Sequence, residues 1–211
     1  MSELEVRFIR HAKGSHMLAP ELIAGRSIDA TITGEGRADA FLKGKELAAR
    51  GVSPDRVVSS SAVRCVQTGQ AILDVMGIER VIEVVDELLE MDQGKFVGRV
   101  RTEVYNETVR RQILEQGKDF ALPGGESMNQ VGRRGLTWLK KQEDLATVKD
   151  HSVLAIAHGG LITHTVGTIL GWDQAQSLAM LRSMPPLGET LVRFDGEQWL
   201  VESFAEPPVA V

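Results

Sequence analysis

The sequence predicts an α/β fold, a three-layer α/β/α sandwich in which helices cover both faces of a mostly parallel central sheet. Short apolar segments typical of strands alternate with longer segments of helical periodicity along most of the chain. Residues 152–157 are almost wholly apolar, as expected of a strand that is covered on both faces. No internal repeat, low-complexity tract or linker interrupts this pattern, so residues 1–211 are expected to form a single domain.

The first half of the chain contains three of the predicted strands. In order, the predicted elements are a strand at 5–9, a helix at 36–50, a strand at 56–59, a helix at 62–76 and a strand at 81–85. Apolar residues such as Phe41 and Leu42 recur at helical spacing in the first helix. A glycine follows each helix, Gly51 after the first and Gly77 after the second, which is typical of a helix end.

The second half of the chain is less regular before residue 125 and regular after it. A polar helix is expected around 103–116. A turn at 123–127 leads into another helix, and Ser127 with Gln130 has the spacing of a capping box. The remaining predicted elements are a strand at 152–157, a helix at 161–170 and a hairpin whose strands, 190–194 and 199–204, flank Asp195-Gly196.

The composition excludes several classes of protein. With 43% hydrophobic and 25% charged residues, the chain is typical of a globular domain rather than of a disordered one. No apolar run is long enough to span a membrane, and the first residues are acidic where a secretory signal is basic, so a cytoplasmic location is expected. A formal net charge of −5 without any block of Lys and Arg argues against nucleic acid as a partner. The single cysteine, Cys65, is interpreted as a small buried thiol in a reducing compartment.

Four polar residues lie where predicted strands end. Arg10 and His11 follow the first strand, Arg64 lies in the first turn of the helix after the second, and His158 follows the apolar strand at 152–157. Ligands of an open parallel sheet bind at the carboxyl ends of its strands, so these residues are expected to meet there. Two imidazoles and two guanidiniums form a concentrated set of hydrogen-bond donors, and phosphate is the anion that suits them.

Six motifs in this order resemble those of the histidine phosphatase superfamily, which includes the cofactor-dependent phosphoglycerate mutases. The R-H-G/A motif appears as Arg10-His11-Ala12, directly after an apolar strand. The other five are Gly25-Arg26-Ser27-Ile28-Asp29 with Ile32-Thr33-Gly34-Glu35-Gly36, then 59–68 (SSSAVRCVQT), Leu88-Leu89-Glu90 with Gly94, 123–127 (PGGES) and Ala157-His158-Gly159-Gly160. The resemblance implies a phosphoglycerate mutase-like fold.

The resemblance also implies roles for individual residues. His11 would be the nucleophile that forms a phosphohistidine, and Glu90 would be the general acid and base. Arg10, Arg64 and His158 would hold the phosphoryl oxygens.

Three further residues, Arg26, Lys13 and Gly159, are expected to contact the substrate. Lys13 departs from the family, in which Glu or Gln is frequent at this place. It is interpreted either as a cation near the entrance of the site or as solvated surface.

The function expected from this resemblance is that of a phosphomonoester phosphatase that acts on a small phosphorylated metabolite and releases inorganic phosphate. Two alternatives stay open: a mutase-type phosphotransferase, whose family members are usually longer, and a phospho-ligand binding module without activity. The histidines lack the spacing of a metal site, so neither a metal nor another cofactor is expected, and His16 and His164 are interpreted as ordinary surface or helix histidines. The sequence leaves open whether the chain forms a homodimer and whether residues 205–211 cover the site.

Overall fold

A six-stranded sheet forms the centre of the computed structural model, which describes residues 4–146 and 151–208. The strands are β1 (Leu4–Arg10), β2 (Arg56–Ser60), β3 (Ile82–Val85), β4 (His151–Ala157), β5 (Glu189–Phe194) and β6 (Trp199–Glu206), in the spatial order β3-β2-β4-β1-β5-β6. The first four strands run parallel, whereas β5 and β6 form an antiparallel hairpin at one edge. The predicted α/β fold, its mostly parallel sheet and the C-terminal hairpin are therefore confirmed.

Helices cover both faces of the sheet. They are α1 (Gly34–Ala49), α2 (Val63–Met76), α3 (Arg101–Val104), α4 (Glu107–Gln116), α5 (Met128–Leu145), α6 (Gly159–Ile169) and α7 (Gln174–Ser183). Side chains of β4 alternate between two hydrophobic cores, because successive residues of a strand point to opposite faces. Val153 and Ala155 pack with α5 and α6, whereas Leu154 and Ile156 pack with α1 and α2. This alternation produces the three layers.

Two regions differ from the sequence prediction. The polar helix expected at 103–116 is two helices, because the side chain of Asn106 accepts a hydrogen bond from the Val109 amide and caps a new helix there. Helix α7 was not predicted, although Asp173 and Gln176 form a capping box at its start. The capping box predicted for Ser127 at the start of α5 is confirmed.

The register of the parallel strands brings their carboxyl ends to one level. Arg10 at the end of β1 lies opposite Ala157 at the end of β4. Ser59 of β2 lies opposite Ile156 of β4, so β2 ends at the same height on the other side of β4. Residues that follow these three strands therefore meet at one edge of the sheet, as the sequence predicted.

The long connection between β3 and α5, residues 86–127, contributes a small core of its own. Val104 and Leu122 of this connecting segment pack with Ile23 from the loop after β1. Two of its turns pack backbone against backbone at Gly94 and Pro123. The contact is so close that a Cβ added at Gly94 would lie 2.4 Å from the Pro123 carbonyl oxygen. The connecting segment and the loop at 12–33 thus form a lobe beside the carboxyl edge of the sheet.

The sequence analysis made predictions about both ends of the chain, and the structure describes these ends only in part. Residues 1–3 and 209–211 lie outside the described residues, whereas Ala205 and Glu206 of the predicted tail belong to β6. No helix within 4–146 and 151–208 is long and apolar enough to cross a membrane.

A buried ionic network joins β5 to α1 beside the sheet. Glu189, which is 1% exposed, accepts hydrogen bonds from Lys43 at 2.8 Å and from Arg50 at 2.9 Å. Arg7 of β1 contacts the same carboxylate, and Glu46 pairs with both Lys43 and Arg50. Burial by itself would raise the pKa of Glu189, but the hydrogen bonds from Arg50 and Lys43 outweigh burial and lower this pKa to about 2.

We predict that Glu189→Gln lowers the free energy of unfolding at pH 7 by about 3–5 kcal/mol, because the buried Lys43 and the largely buried Arg7 each lose one of their two anionic partners. The ionised carboxylate stabilises the fold above its ordinary pKa of 4.5. This stabilisation is lost as the pH falls toward the folded-state pKa of about 2, so the difference between variant and parent shrinks over that interval.

Denaturant unfolding at several pH values measures both effects. Glu5→Gln is the control, since Glu5 also pairs with Arg7 but its side chain is 30% exposed, and a loss of about 1 kcal/mol or less is expected. If the two variants lost the same free energy of unfolding, the larger contribution proposed for Glu189 would be wrong.

Candidate active site

His11 continues the line of β1 and is almost completely buried. Its amide donates a hydrogen bond of 2.9 Å to the Ala157 carbonyl, which extends the pairing of β1 with β4 by one residue. Its ring nitrogen Nδ1 lies 2.7 Å from the carbonyl oxygen of Ala12. A carbonyl oxygen only accepts, so Nδ1 carries the proton and Nε2 keeps its lone pair. Burial, together with the charges of Arg64 and Arg10, holds the pKa of His11 well below its usual range, so the ring is neutral.

Arg10 and Arg64 bring two buried guanidiniums to the same place. Arg10 donates to the Met184 carbonyl, and Arg64 donates to the carbonyl oxygens of Arg26 at 3.0 Å and Ser27 at 2.7 Å. Among the described residues, no carboxylate forms an ion pair with either guanidinium, and the Nε atom of each is buried without a partner. Burial lowers the pKa of both arginines. Two unpaired positive charges with free donors make this a site for an anion.

His158 lies beside His11, with ring centroids 5.2 Å apart, but its ring is already engaged. The guanidinium of Arg64 lies 3.0 Å from Nδ1 and can only donate, so Nδ1 accepts and Nε2 donates to the Ser60 hydroxyl at 2.8 Å. Burial, with the neighbouring His11 and the arginines, holds the pKa of His158 well below its usual range. Contact of this second imidazole with a phosphoryl group stays a prediction. Both rings are neutral, and His158 positions Arg64 in this arrangement.

Cys65 is fully buried behind His158, which confirms the sequence interpretation of a small buried thiol. Burial raises the pKa of Cys65 to about 12, so the thiol is not ionised at neutral pH and is not a nucleophile. Within the part of the chain that the structure describes, no group of three or more His, Cys, Asp or Glu residues is arranged to hold a metal ion.

Glu90 reaches the same cavity from the connecting segment. Its carboxylate accepts hydrogen bonds from the Met91 amide at 2.8 Å and from the Gly160 amide at 3.1 Å. The second bond places the carboxylate at the N-terminus of α6, where the helix dipole favours a negative charge. Position 160 must be glycine for this contact, since a Cβ there would lie 2.2 Å from Glu90 Oε1.

Two arginines outside the cavity hold the backbone that carries Glu90. Arg134 of α5 donates to the Glu87 carbonyl at 2.8 Å and pairs with Glu126 at 2.8 Å. Arg26 lies 3.3 Å from the same Glu126 carboxylate and donates to the Glu90 carbonyl at 3.3 Å. Arg26 was expected to contact substrate, but its guanidinium is used to fix this loop. Arg134 was not predicted, because nothing in the helical pattern around it marks one arginine among several.

The two other residues expected to contact substrate, Lys13 and Gly159, are also absent from the lining of the cavity. The Lys13 ammonium pairs with Glu35 of α1 at 2.6 Å, and Lys13 is not among the residues that line the cavity. Its pairing favours the interpretation as surface. Gly159 packs against the Arg10 side chain, since a Cβ at this glycine would lie 3.2 Å from Arg10 Nε. The absence of a side chain at Gly159 thus leaves space for the Arg10 side chain.

The reactive side chains open into a cavity of about 370 Å³. One end is polar and formed by Arg10, His11, Arg64 and Glu90, while apolar side chains line much of the rest. The apolar residues are Met17, Pro20, Leu22, Ile23, Met91 and Leu181, and Gln93 and Arg101 lie among them.

His16 and His164, which were interpreted as ordinary histidines, also line this cavity. The His16 ring lies 5.3 Å from that of His11, and His164 is 4% exposed. The loop around His16 has no pattern from which its place could be predicted. His164 lies four residues after Gly160, and this helical spacing is a signal that could have placed it.

Comparison with known proteins agrees with this geometry. The sequence profile of the histidine phosphatase superfamily (branch 1) matches residues 6–207, so the chain belongs to this superfamily, and the resemblance inferred from the motifs is confirmed.

Related sequences include mutases, and related structures include phosphatases. A 2,3-bisphosphoglycerate-dependent phosphoglycerate mutase of Mesorhizobium japonicum is 30% identical over 156 residues, which are 72% of this chain and 74% of that protein. A mycobacterial glucosyl-3-phosphoglycerate phosphatase superposes with a TM-score of 0.80 at 20% identity, covering 97% of this chain and 100% of the other. A phosphoserine phosphatase of Entamoeba histolytica does so with a TM-score of 0.76 at 17% identity, covering 96% of each chain. These superpositions confirm the phosphoglycerate mutase-like fold.

We predict that Gly160→Ala displaces the Glu90 carboxylate, because the new methyl group would occupy its place. If Glu90 has the role that the family resemblance implies, kcat/KM for an alkyl phosphate falls by about 10²–10⁴-fold. Gly34→Ala is the matched control, since a Cβ there meets nothing within 4 Å, and its rate should stay within about twofold of the parent's. A folded Gly160→Ala protein with the parent's rate would show that the contact is dispensable.

Proposed function

We propose that this protein is a phosphomonoester phosphatase that works through a phosphohistidine at His11. The observation that carries the proposal is the environment of the His11 ring. Its Nδ1 hydrogen is held by the Ala12 carbonyl, so the unprotonated Nε2 is available beside two guanidiniums that have no anionic partner among the described residues. A nucleophile next to two guanidiniums that suit phosphoryl oxygens supports covalent phosphoryl transfer.

In the first step, Arg10 and Arg64 bind the oxygens of the phosphoryl group, and His11 Nε2 attacks phosphorus. The phosphorus–oxygen ester bond breaks, and Glu90 acts as the acid that gives a proton to the departing oxygen. Negative charge on the transferring group is stabilised by guanidiniums that are already in place. His158 supports this step by positioning Arg64, and direct contact of His158 with the phosphoryl group stays a prediction.

In the second step, water replaces the alcohol. The Glu90 carboxylate removes a proton from the water, whose oxygen attacks phosphorus, and the phosphorus–nitrogen bond breaks. Inorganic phosphate leaves, His11 recovers its lone pair and Glu90 is protonated again. Side chains supply all the positive charge in this scheme, so we propose that neither a metal nor another cofactor takes part.

A mutase-type phosphotransferase is the second candidate, and the 30% identity to a 2,3-bisphosphoglycerate-dependent mutase favours it. The phosphatase is supported by structures of phosphatases that superpose over 96–97% of this chain. A rate that depends on added 2,3-bisphosphoglycerate would favour the mutase, whereas release of inorganic phosphate without it would favour the phosphatase.

The profile match over residues 6–207 supports a single domain for residues 1–211. A small phosphomonoester is the proposed substrate, since the cavity of about 370 Å³ lies at the lower end of the range for small-molecule sites. A cytoplasmic location stays a prediction. A binding module without activity would leave the Glu90 carboxylate, which lines the same cavity as His11, without a role.

The first test is His11→Ala, which we expect to abolish phosphate release from p-nitrophenyl phosphate, because the variant has no group for covalent attack. A labelled substrate should leave an acid-labile, base-stable phosphoryl adduct on the parent protein and none on the variant. The assay contains a strong chelator, so it also tests whether a metal is needed. A folded variant that retains the parent's rate would remove His11 from the mechanism.

The second test concerns the acid. We predict that Glu90→Gln lowers kcat/KM by about 10²–10⁴-fold for an alkyl phosphate, whose alcohol needs a proton to leave. An activated aryl phosphate departs as its anion, so the loss there should be about tenfold or less. kcat/KM is the measure, because kcat can report hydrolysis of the phosphohistidine, which is common to all substrates. A structural role for Glu90 predicts instead the same loss for both esters.

A further inference from the structure

His164 lines the cavity from α6, the helix whose first turn also contacts the proposed acid. It follows Gly160 by four residues on α6, so both residues share one face of the helix. At a rise of about 1.5 Å per residue, His164 is displaced about 6 Å along the helix axis from Gly160. The Gly160 amide binds the Glu90 carboxylate, which is the proposed acid for the leaving oxygen. His164 therefore lines the cavity about one helical turn from the contact that holds the proposed acid.

The ring of His164 has no structural role that explains its presence. It is 4% exposed, and no described residue hydrogen-bonds its buried Nδ1. Its backbone, by contrast, is tightly held, since the His164 carbonyl accepts from Thr168 at 2.8 Å and packs against Gly132 of α5. A buried polar atom without a partner costs folding free energy, which a leucine at this position would avoid. Because His164 lines the cavity, a rotation of its ring would present this nitrogen to a bound ligand.

The chemistry of the ring defines which group of a ligand suits it. Burial, with the nearby charge of Lys118, lowers the pKa of His164 to about 4, so the imidazole is neutral at neutral pH. A neutral imidazole offers one donor and one acceptor. A hydroxyl group also offers both, whereas a carboxylate only accepts. The apolar neighbours in the wall, such as Leu22 and Leu181, provide no competing hydrogen bond from their side chains.

We infer that His164 is a specificity-determining residue that hydrogen-bonds a hydroxyl group of the leaving group, so that the enzyme selects phosphate esters of hydroxylated alcohols. The inference rests on the proposed phosphatase function and names the class of its substrate. It assigns the cavity a hydroxyl site at His164 in addition to the phosphoryl site at His11.

The test uses two series of esters with increasing chain length, ω-hydroxyalkyl phosphates and n-alkyl phosphates. The quantity measured is the ratio of kcat/KM between the two esters of the same length. In the parent protein this ratio is expected to reach about tenfold to a hundredfold at the chain length that spans the two sites. It should fall to about one in His164→Leu, which keeps the bulk but loses both ring nitrogens. His164→Gln, which retains a donor and an acceptor, should recover part of the ratio.

Leu181→Ala is the matched control. Leu181 lines the same cavity from α7 but has no polar atom, so this variant should change both ester series alike and leave the ratio intact. A ratio near one at all lengths in the parent, or an unchanged ratio in a folded His164→Leu protein, would overturn the inference. A third series of esters carries a carboxylate at the chain end. If the parent protein prefers these esters to the hydroxyl series and His164→Leu loses that preference, His164 binds a carboxylate and the inference is wrong.

The failure of the proposed function has a different signature. If the parent protein releases no phosphate from p-nitrophenyl phosphate or from any series, the phosphatase proposal fails and the inference fails with it. If p-nitrophenyl phosphate is hydrolysed through His11 while the hydroxyl ratio is flat, the phosphatase stands and the inference alone is wrong.

Discussion

The register between β4 and its two parallel neighbours is the constraint on which the candidate active site depends. Because β1, β4 and β2 end at one height, His11 and His158 come into contact although 147 positions separate them in the chain. A shift of one residue would turn the alternating side chains of a strand to the opposite face. The two hydrophobic cores on the faces of the sheet prevent such a shift, so the packing of the core also sets the geometry of the site.

The protein buries positive charge in two places and treats it in opposite ways. Beside β5, Glu189 and Glu46 neutralise the buried Lys43 and the exposed Arg50, and the network serves the fold. At the carboxyl edge, Arg10 and Arg64 are held by backbone carbonyls, which orient a guanidinium without cancelling its charge. The positive charge, which Glu90 offsets without forming a salt bridge, opposes folding and favours anion binding, as expected where the fold is built around a ligand.

Much of the fold and the centre of the site could be predicted from the sequence because both depend on local patterns. Strand ends follow from apolar runs, and Arg10, His11, Arg64 and His158 are placed by those ends. The ordered motifs added Glu90, which spacing alone would not have distinguished from other acidic residues.

The remaining features depend on long-range contacts that leave no local trace. Arg134 acts through carbonyl oxygens of a distant loop, and Lys13 is drawn to Glu35 rather than to the cavity. Helix α7 was missed although Asp173 and Gln176 cap it, because its apolar residues form no clear stripe. His16 became part of the site through a loop whose path no periodicity predicts.

At several positions in this protein a glycine packs directly against the backbone of another segment. A Cβ at Gly36 would lie 2.3 Å from the carbonyl oxygen of Lys13, and one at Gly125 would lie 2.6 Å from that of Asp92. In these contacts backbone packs directly against backbone, which is possible because glycine has no Cβ. They hold the loop after His11 and the loop after Glu90 in place. A mutational survey that only truncates side chains would pass over them. The architecture is therefore sensitive to added volume at these glycines, and a library that enlarges residues would map the supports of the site better than one that removes them.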